Sequence, residues 1–230
     1  MTGAPAPPAG LRPADAPVET GLADFLARAR TRLLAAPPTV FSRAEIGRVN
    51  GDHALAPDPA ADAFDREPRH AAVLVPVIAR PEPAILLTLR STTLSHHPGQ
   101  IAFPGGRLDP EDADEVAAAL REAWEEVGLD RKFVRPIGFL DGYLSRTGFW
   151  ITPVVGIVAP DYALTLNPGE VEEAFEVPLH FLMTPGNHHR HAAERNGALR
   201  HFYAMPYQGR YIWGATAGML RNLYERIYGA

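Results

Sequence analysis

Cysteine is absent from this sequence of 230 residues. Its absence excludes disulfides, thiolate nucleophiles and thiolate metal sites, leaving carboxylates, histidines and backbone carbonyls as the groups able to hold a metal ion. A surplus of positive charge is missing as well: 22 Lys and Arg stand against 27 Asp and Glu, for a formal charge of −5. Without a basic footprint, neither nucleic acid nor an anionic membrane is expected as a partner, and an anionic small molecule would need locally placed cations or a metal. Long apolar runs are lacking too. The longest, AAVLVPVIA at residues 71–79, is too short for a membrane span and contains a proline. The first residues do not follow the charged-then-apolar layout of a secretory signal, so a soluble, cytoplasmic protein is expected. No internal repeat is visible.

Proline is plentiful. Pro5, Pro7, Pro8, Pro13 and Pro17 stand among alanines, which predicts a loose arm over residues 1–19 and a single domain over 20–230. In LADFLARARTRLL, Leu22, Phe25, Leu26 and Leu33 recur at roughly helical spacing between arginines. The helix they predict would cover the core, with docking on a second copy in a homodimer as its other use. Residues 50–69 read as a loop. AAVLVPVIA and AILLTL read as a hairpin closed by RPEP, VRPIGFL and ITPVVGIV as further strands, and LRHFYAM with RYIWG as a second hairpin around PYQG. ATAGMLRNLYERIY reads as a closing helix. Strands precede, interrupt and follow helices, so the predicted class is α/β, a mixed β-sheet covered by helices.

The chemistry concentrates in FPGGRLDPEDADEVAAALREAWEEVGLD, residues 103–130. Advancing about 100° per residue, Glu122, Glu125 and Glu126 share one helix face, while Val116, Leu120, Ala123 and Val127 form a separate core stripe. Gly128 stands where a helix C-terminal glycine is expected. The carboxylates therefore sit at the negative end of the helix dipole, where anions are disfavoured. Two of them about 6 Å apart repel by roughly 3 kcal/mol at an effective dielectric near 20, so a partly buried trio takes up protons or holds a cation. Oxygen ligands suit Mg²⁺ or Mn²⁺, and Glu122 with Glu126, one turn apart on a side expected to face solvent, can point at one ion. Arg121, one turn before Glu125, can brace it. A merely solvated acidic face is the alternative. Gly105 and Gly106 permit positive φ and close backbone approach, so a carbonyl can reach the same ion or an amide can meet a phosphate.

Other candidates are scattered. Glu170, Glu172 and Glu173 in NPGEVEEAFEVPL are candidate bases, additional ligands or plain surface acids. Arg90 suits a phosphate contact or a structural ion pair equally. Tyr143, Phe149 and Trp150 could stack on an adenine or pack in the core. His96 and His97, and the NHHRH run holding His188 and His191, read as solvated loops. PGGR lacks the Lys-Ser/Thr ending of a P-loop.

The acidic stretch resembles the Nudix box. Arg121, Glu122, Ala123, Trp124, Glu125, Glu126, Val127, Gly128 and Leu129 match the second half of that motif in full. In the first half, Asp112 stands where the pattern has a glutamate, and eight residues rather than seven separate it from Arg121. Upstream, LLTLRSTTLSHHPGQIAFPGG is similar to a motif of the coenzyme A-directed branch, with Leu86, Leu87, Thr88, Arg90, Ser91, Gly99, Phe103, Pro104, Gly105 and Gly106 in the family positions. Ser95 stands where that branch usually has an arginine.

The resemblance implies an α/β/α sandwich that hydrolyses a nucleoside diphosphate linked to another moiety, using Mg²⁺ or Mn²⁺. It implies Glu122 and Glu126 as metal ligands, joined by Glu125 and the Gly105 carbonyl. Glu125 is the first choice for the base, and Arg121 orients it. Arg90, Gly105 and Gly106 lie toward the substrate. The expected substrate is coenzyme A or its thioesters, cleaved to 3′,5′-ADP and a 4′-phosphopantetheine product. ADP-ribose or NADH is the alternative within the enzyme class, and a nucleotide-sensing module without turnover is the alternative outside it.

Overall fold

The computed structural model describes residues 20–39, 49–55, 67–195 and 198–229. In chain order the elements are α1 (Leu22–Arg32), β1 (Arg69–Ile78), β2 (Ala84–Arg90), β3 (Ile101–Ala102), β4 (Gly105–Arg107), α2 (Glu115–Val127), β5 (Val134–Phe139), β6 (Tyr143–Leu144) and β7 (Phe149–Val158). They continue with β8 (Val171–Pro178), the single turn α3 (Leu179–Leu182), β9 (His189–Arg195), β10 (Ala198–Tyr207), β11 (Arg210–Trp213) and α4 (Ala215–Ile227).

The main sheet is mixed. β1 runs parallel to β7 along its whole length, from Arg69 opposite Phe149 to Ile78 opposite Val158. β2 returns antiparallel from β1, with Val77 opposite Ile85, so the hairpin expected around RPEP forms. β8 pairs with β2, β5 and β6 pair with β7, and the short β4 pairs with the start of β1. β1 is therefore covered on both faces, and its side chains read as a nearly unbroken apolar run for that reason. Ala72 and Leu74 point toward α2, packing with Ala118, Ala119, Ala123 and Val127. Val73, Val75 and Val77 belong to the opposite layer, with Phe25 of α1 and Leu220, Leu223 and Ile227 of α4. The result is an α/β/α sandwich.

α1 lies against α4, with Phe25 and Ala29 buried and Arg32 donating to the Gly229 carbonyl at 2.8 Å. Its apolar side covers the core of its own chain. Two expectations need correction. Residues 50–69 are not loop throughout, since Asp52–Leu55 forms a 3₁₀ turn and β1 already begins at Arg69. The NHHRH run is not a solvated loop either: it enters β9, which pairs with β10 in a separate three-stranded sheet completed by β11. The stretch holds three histidines and an arginine, a composition that hides a strand whose register is set by β10. The arm expected over residues 1–19 lies outside the described residues. Among the described residues no helix is long and apolar enough to cross a membrane.

Candidate active site

α2 begins and ends on local chemistry. The Asp114 side chain accepts from the Ala117 N–H at 2.8 Å, and Gly128 adopts the left-handed conformation at φ 67°, its N–H closing on the Trp124 carbonyl. These caps place the last two turns of α2 over β4 and β1. The two glycines of β4 then do different jobs. Gly105 has φ 155°, and a Cβ there would lie 2.6 Å from Val73 Cα, so only glycine lets β4 approach β1 this closely. Gly106 does not use a positive φ. Its missing side chain leaves room for the Glu122 carboxylate, which a Cβ would strike.

The three glutamates share a face but not an environment. Glu126 is only 3% exposed, so the expectation that it lies on a solvent-facing side is wrong. The helical wheel puts it at the edge of the acidic sector nearest Ala123, and β2 and β4 close over that edge. The Gly105 N–H donates to Glu126 Oε2 at 3.3 Å, and Arg90 Nη1 approaches Oε1 at 3.4 Å. Burial pushes the Glu126 carboxyl up to about 7; Arg90 and the Gly105 N–H pull it down, and the charges of Glu122 and Glu170 push it further up. Burial also raises Glu122, against the pull of Arg121. Glu125 is the open one, its side chain 49% exposed.

Arg121 is the hub. Its Nη1 donates to Glu122 at 2.9 Å and to Glu125 at 3.0 Å, so the predicted brace on Glu125 is present. Its other face grips Asp112 through two bonds of 3.0 and 2.8 Å and reaches the Arg107 carbonyl at 3.1 Å. The guanidinium holds the Asp112 carboxyl below the usual aspartate range. Asp112 thus belongs to the cluster despite the longer spacer. Asp112 also closes a turn of its own, its N–H reaching the Asp109 carbonyl and the Asp109 N–H reaching Asp112 Oδ2.

Of the three acids near residue 170, only Glu170 faces the helix carboxylates. Asn167 Nδ2 donates to Glu170 Oε1 at 3.1 Å, while the Asn167 N–H caps the Glu126 carbonyl at 2.9 Å. Sequence reasoning missed Asn167; the Asn-Pro-Gly run ahead of Glu170 was its signal. Glu172 is exposed on β8, and Glu173 is taken by Arg210 of β11. Tyr143 and Trp150 are buried core residues, leaving Phe149 the more exposed, with the Arg69 guanidinium 4.0 Å over its ring. His96 and His97 are exposed, as expected. His188 is buried instead: its Nε2–H donates to the Leu182 carbonyl at 2.6 Å, Nδ1 accepts from Arg221, and burial pushes it down to about 4.

As they stand, the carboxylates of α2 face guanidinium groups, and among the described residues no three acidic or histidine side chains form a ready-made metal cage. The fit of a divalent ion rests on charge and donor chemistry. Asp112, Glu122 and Glu125 share one arginine, and buried Glu126 has Arg90 only at 3.4 Å. All the donors are oxygens, which Mg²⁺ and Mn²⁺ take.

A mixed sheet between helices sets a strand glycine pair against a carboxylate-rich helix end, and comparison with known proteins gives the class to which this arrangement belongs. The sequence profile of the NUDIX domain matches residues 68–202. The chain is 48% identical over 159 residues to an uncharacterized Nudix hydrolase, NudL, of Cronobacter sakazakii, covering 69% of this chain and 83% of the relative. A NudL of Photorhabdus laumondii is 43% identical over 159 residues, covering 69% and 85%. Among solved structures, a C. elegans Ap4A hydrolase binary complex superposes with a TM-score of 0.42 at 21% identity, covering 47% of this chain and 80% of that one. The chain belongs to the Nudix family and is a Nudix hydrolase. Enzymes of this family act on nucleoside diphosphate-linked substrates and generally use divalent metal ions.

Proposed function

We propose that this chain is a divalent-metal-dependent pyrophosphohydrolase that cleaves the diphosphate of coenzyme A or its thioesters, releasing 3′,5′-ADP and a 4′-phosphopantetheine product. The observation that carries the reading is Glu126. A buried carboxyl group pushed to about 7, beside two further carboxylates, is only about half ionised at neutral pH, and a cation that joins it would draw it to the full charge. Glu122 and Glu126 would hold Mg²⁺ or Mn²⁺, with Glu125 and the Gly105 carbonyl as further donors. When bound, such an ion supplies charge neutralisation of the diphosphate and a more acidic water.

The remaining work belongs to the chain. Arg121 fixes Glu122 and Glu125 and, through Asp112, ties the helix to the preceding turn. Arg90 offers a cation to a phosphate at the inner edge of the site. Glu170 is a better base than Glu125, the first choice from sequence, because Glu125 already accepts from a guanidinium whereas Glu170 accepts from the neutral Asn167 amide. That amide occupies Oε1, so we assign the proton of the attacking water to Oε2.

Coenzyme A is favoured by the stretch from Leu86 to Gly106, which leads through Arg90 into Gly105. Ser95, in place of an arginine, keeps ADP-ribose or NADH as a second reading. A substrate panel with Mg²⁺ and with Mn²⁺ tests both: coenzyme A should be cleaved fastest. ADP-ribose or NADH cleaved fastest would favour the second reading, and binding without product would make the chain a sensor.

A further inference from the structure

α1 spends its apolar side inside its own chain, whereas α2 leaves one edge of its apolar side, where Val116 and Leu120 are only partly buried against the core, open beside Trp124. Val116, Leu120 and Trp124 recur every fourth residue along it and, with Ala113 and Ala117, line a groove of about 680 Å³. Trp124 is 58% exposed. A contiguous apolar stripe carrying an open tryptophan marks an association surface. The charges at its two ends have opposite sign. Glu111 and Asp114 are exposed before the helix, with Asp109 3.6 Å from Arg121; beyond it stand exposed Arg131 and Lys132, with Asp130 paired to Lys132 at 3.0 Å. An acidic end, an apolar middle and a basic end complement a second copy of themselves in the antiparallel orientation, and place like charges together in the parallel one.

We infer that a second copy of this chain docks along α2, antiparallel, about a twofold axis near Leu120. Each Trp124 then lies over the partner's Val116, and each acidic end meets the partner's Arg131. The groove borders the acidic cluster at Arg121, yet docking along it requires no particular substrate.

Sedimentation velocity of the full chain over a wide range of concentration should show a dimer. Trp124→Glu, at an exposed position, should be monomeric throughout that range, and Arg131→Glu should weaken dimerisation at least about tenfold. Because the chain has no cysteine, Leu120→Cys introduces one thiol at the axis, and mild oxidation should link two copies through it. A monomeric wild type overturns the proposal, as does a dimer indifferent to both charge-introducing substitutions. So does a monomer in which the Leu120→Cys thiol is shielded from reagent, since a segment of the same chain would then fill the groove.

Discussion

The acidic residues of β8 and those around α2 look alike in sequence and differ in how their charge is answered. On β8, Glu173 is matched by Arg210, and Glu176 by Arg80 together with the Tyr162 hydroxyl at 2.7 Å. Around α2, Asp112, Glu122 and Glu125 divide one guanidinium among them, and Glu126 lies buried with Arg90 at 3.4 Å. Matched acids hold the sheet together. The unmatched ones are where a divalent ion and a diphosphate would complete the electrostatics. What separates a site from a surface is therefore the shortage of partners, not the number of carboxylates.

The contrast breaks most visibly if the unmatched side is neutralised. Glu126→Gln should lower hydrolysis at least about a hundredfold in steady-state assays with Mg²⁺, because on the proposed reading it removes a charge on which metal affinity would rest. Turnover close to wild type would contradict the assignment. Glu170→Gln should follow, reducing kcat by about tenfold to a hundredfold while KM changes little, as the loss of a proton acceptor does. A larger loss for Glu125→Gln than for Glu170→Gln would return the base to Glu125.

A subtler effect concerns the metal-free protein. Glu126 rises from an ordinary 4.5 to about 7 on folding, so the folded state holds its proton more tightly than the unfolded chain does. The resulting stability is fully present below 4.5 and is lost as pH rises through about 7, by an amount on the order of 3 kcal/mol. Thermal unfolding of metal-free wild type should therefore weaken across that window, and Glu126→Gln should flatten the decline. On the matched side the effects should be smallest. Glu173→Gln and Glu176→Gln should leave hydrolysis within about threefold and cost roughly 1 kcal/mol or less, as partly exposed ion pairs do.

Much of this architecture was legible in the residues. The apolar runs of β1 and β7, the glycine stop at Gly128 and the segregation of glutamates from the core stripe follow from periods and local propensities. The spacing of Arg121 from Glu125 also announced their contact. Local patterns could not say which carboxylate is buried, because the groups enclosing Glu126 come from Arg90, 36 residues away, and Gly105, 21 away. The separation of Glu170 from Glu173 was hidden in the same way, since it depends on Arg210, 37 residues beyond Glu173. His188 looked like part of a polar run; the Tyr224 ring of α4 edge-on against it and the Leu182 carbonyl hold it as a buried neutral ring.

The claim at the centre of this account is that the unanswered charge of α2 is completed by a divalent cation. Electron paramagnetic resonance titration of Mn²⁺ into the full chain, with Glu122→Gln, Glu126→Gln and Glu173→Gln variants alongside, tests it without reference to any substrate. Wild type and Glu173→Gln should bind Mn²⁺ alike, and both α2 variants should bind at least about tenfold more weakly. Equal binding by all four proteins would contradict the account.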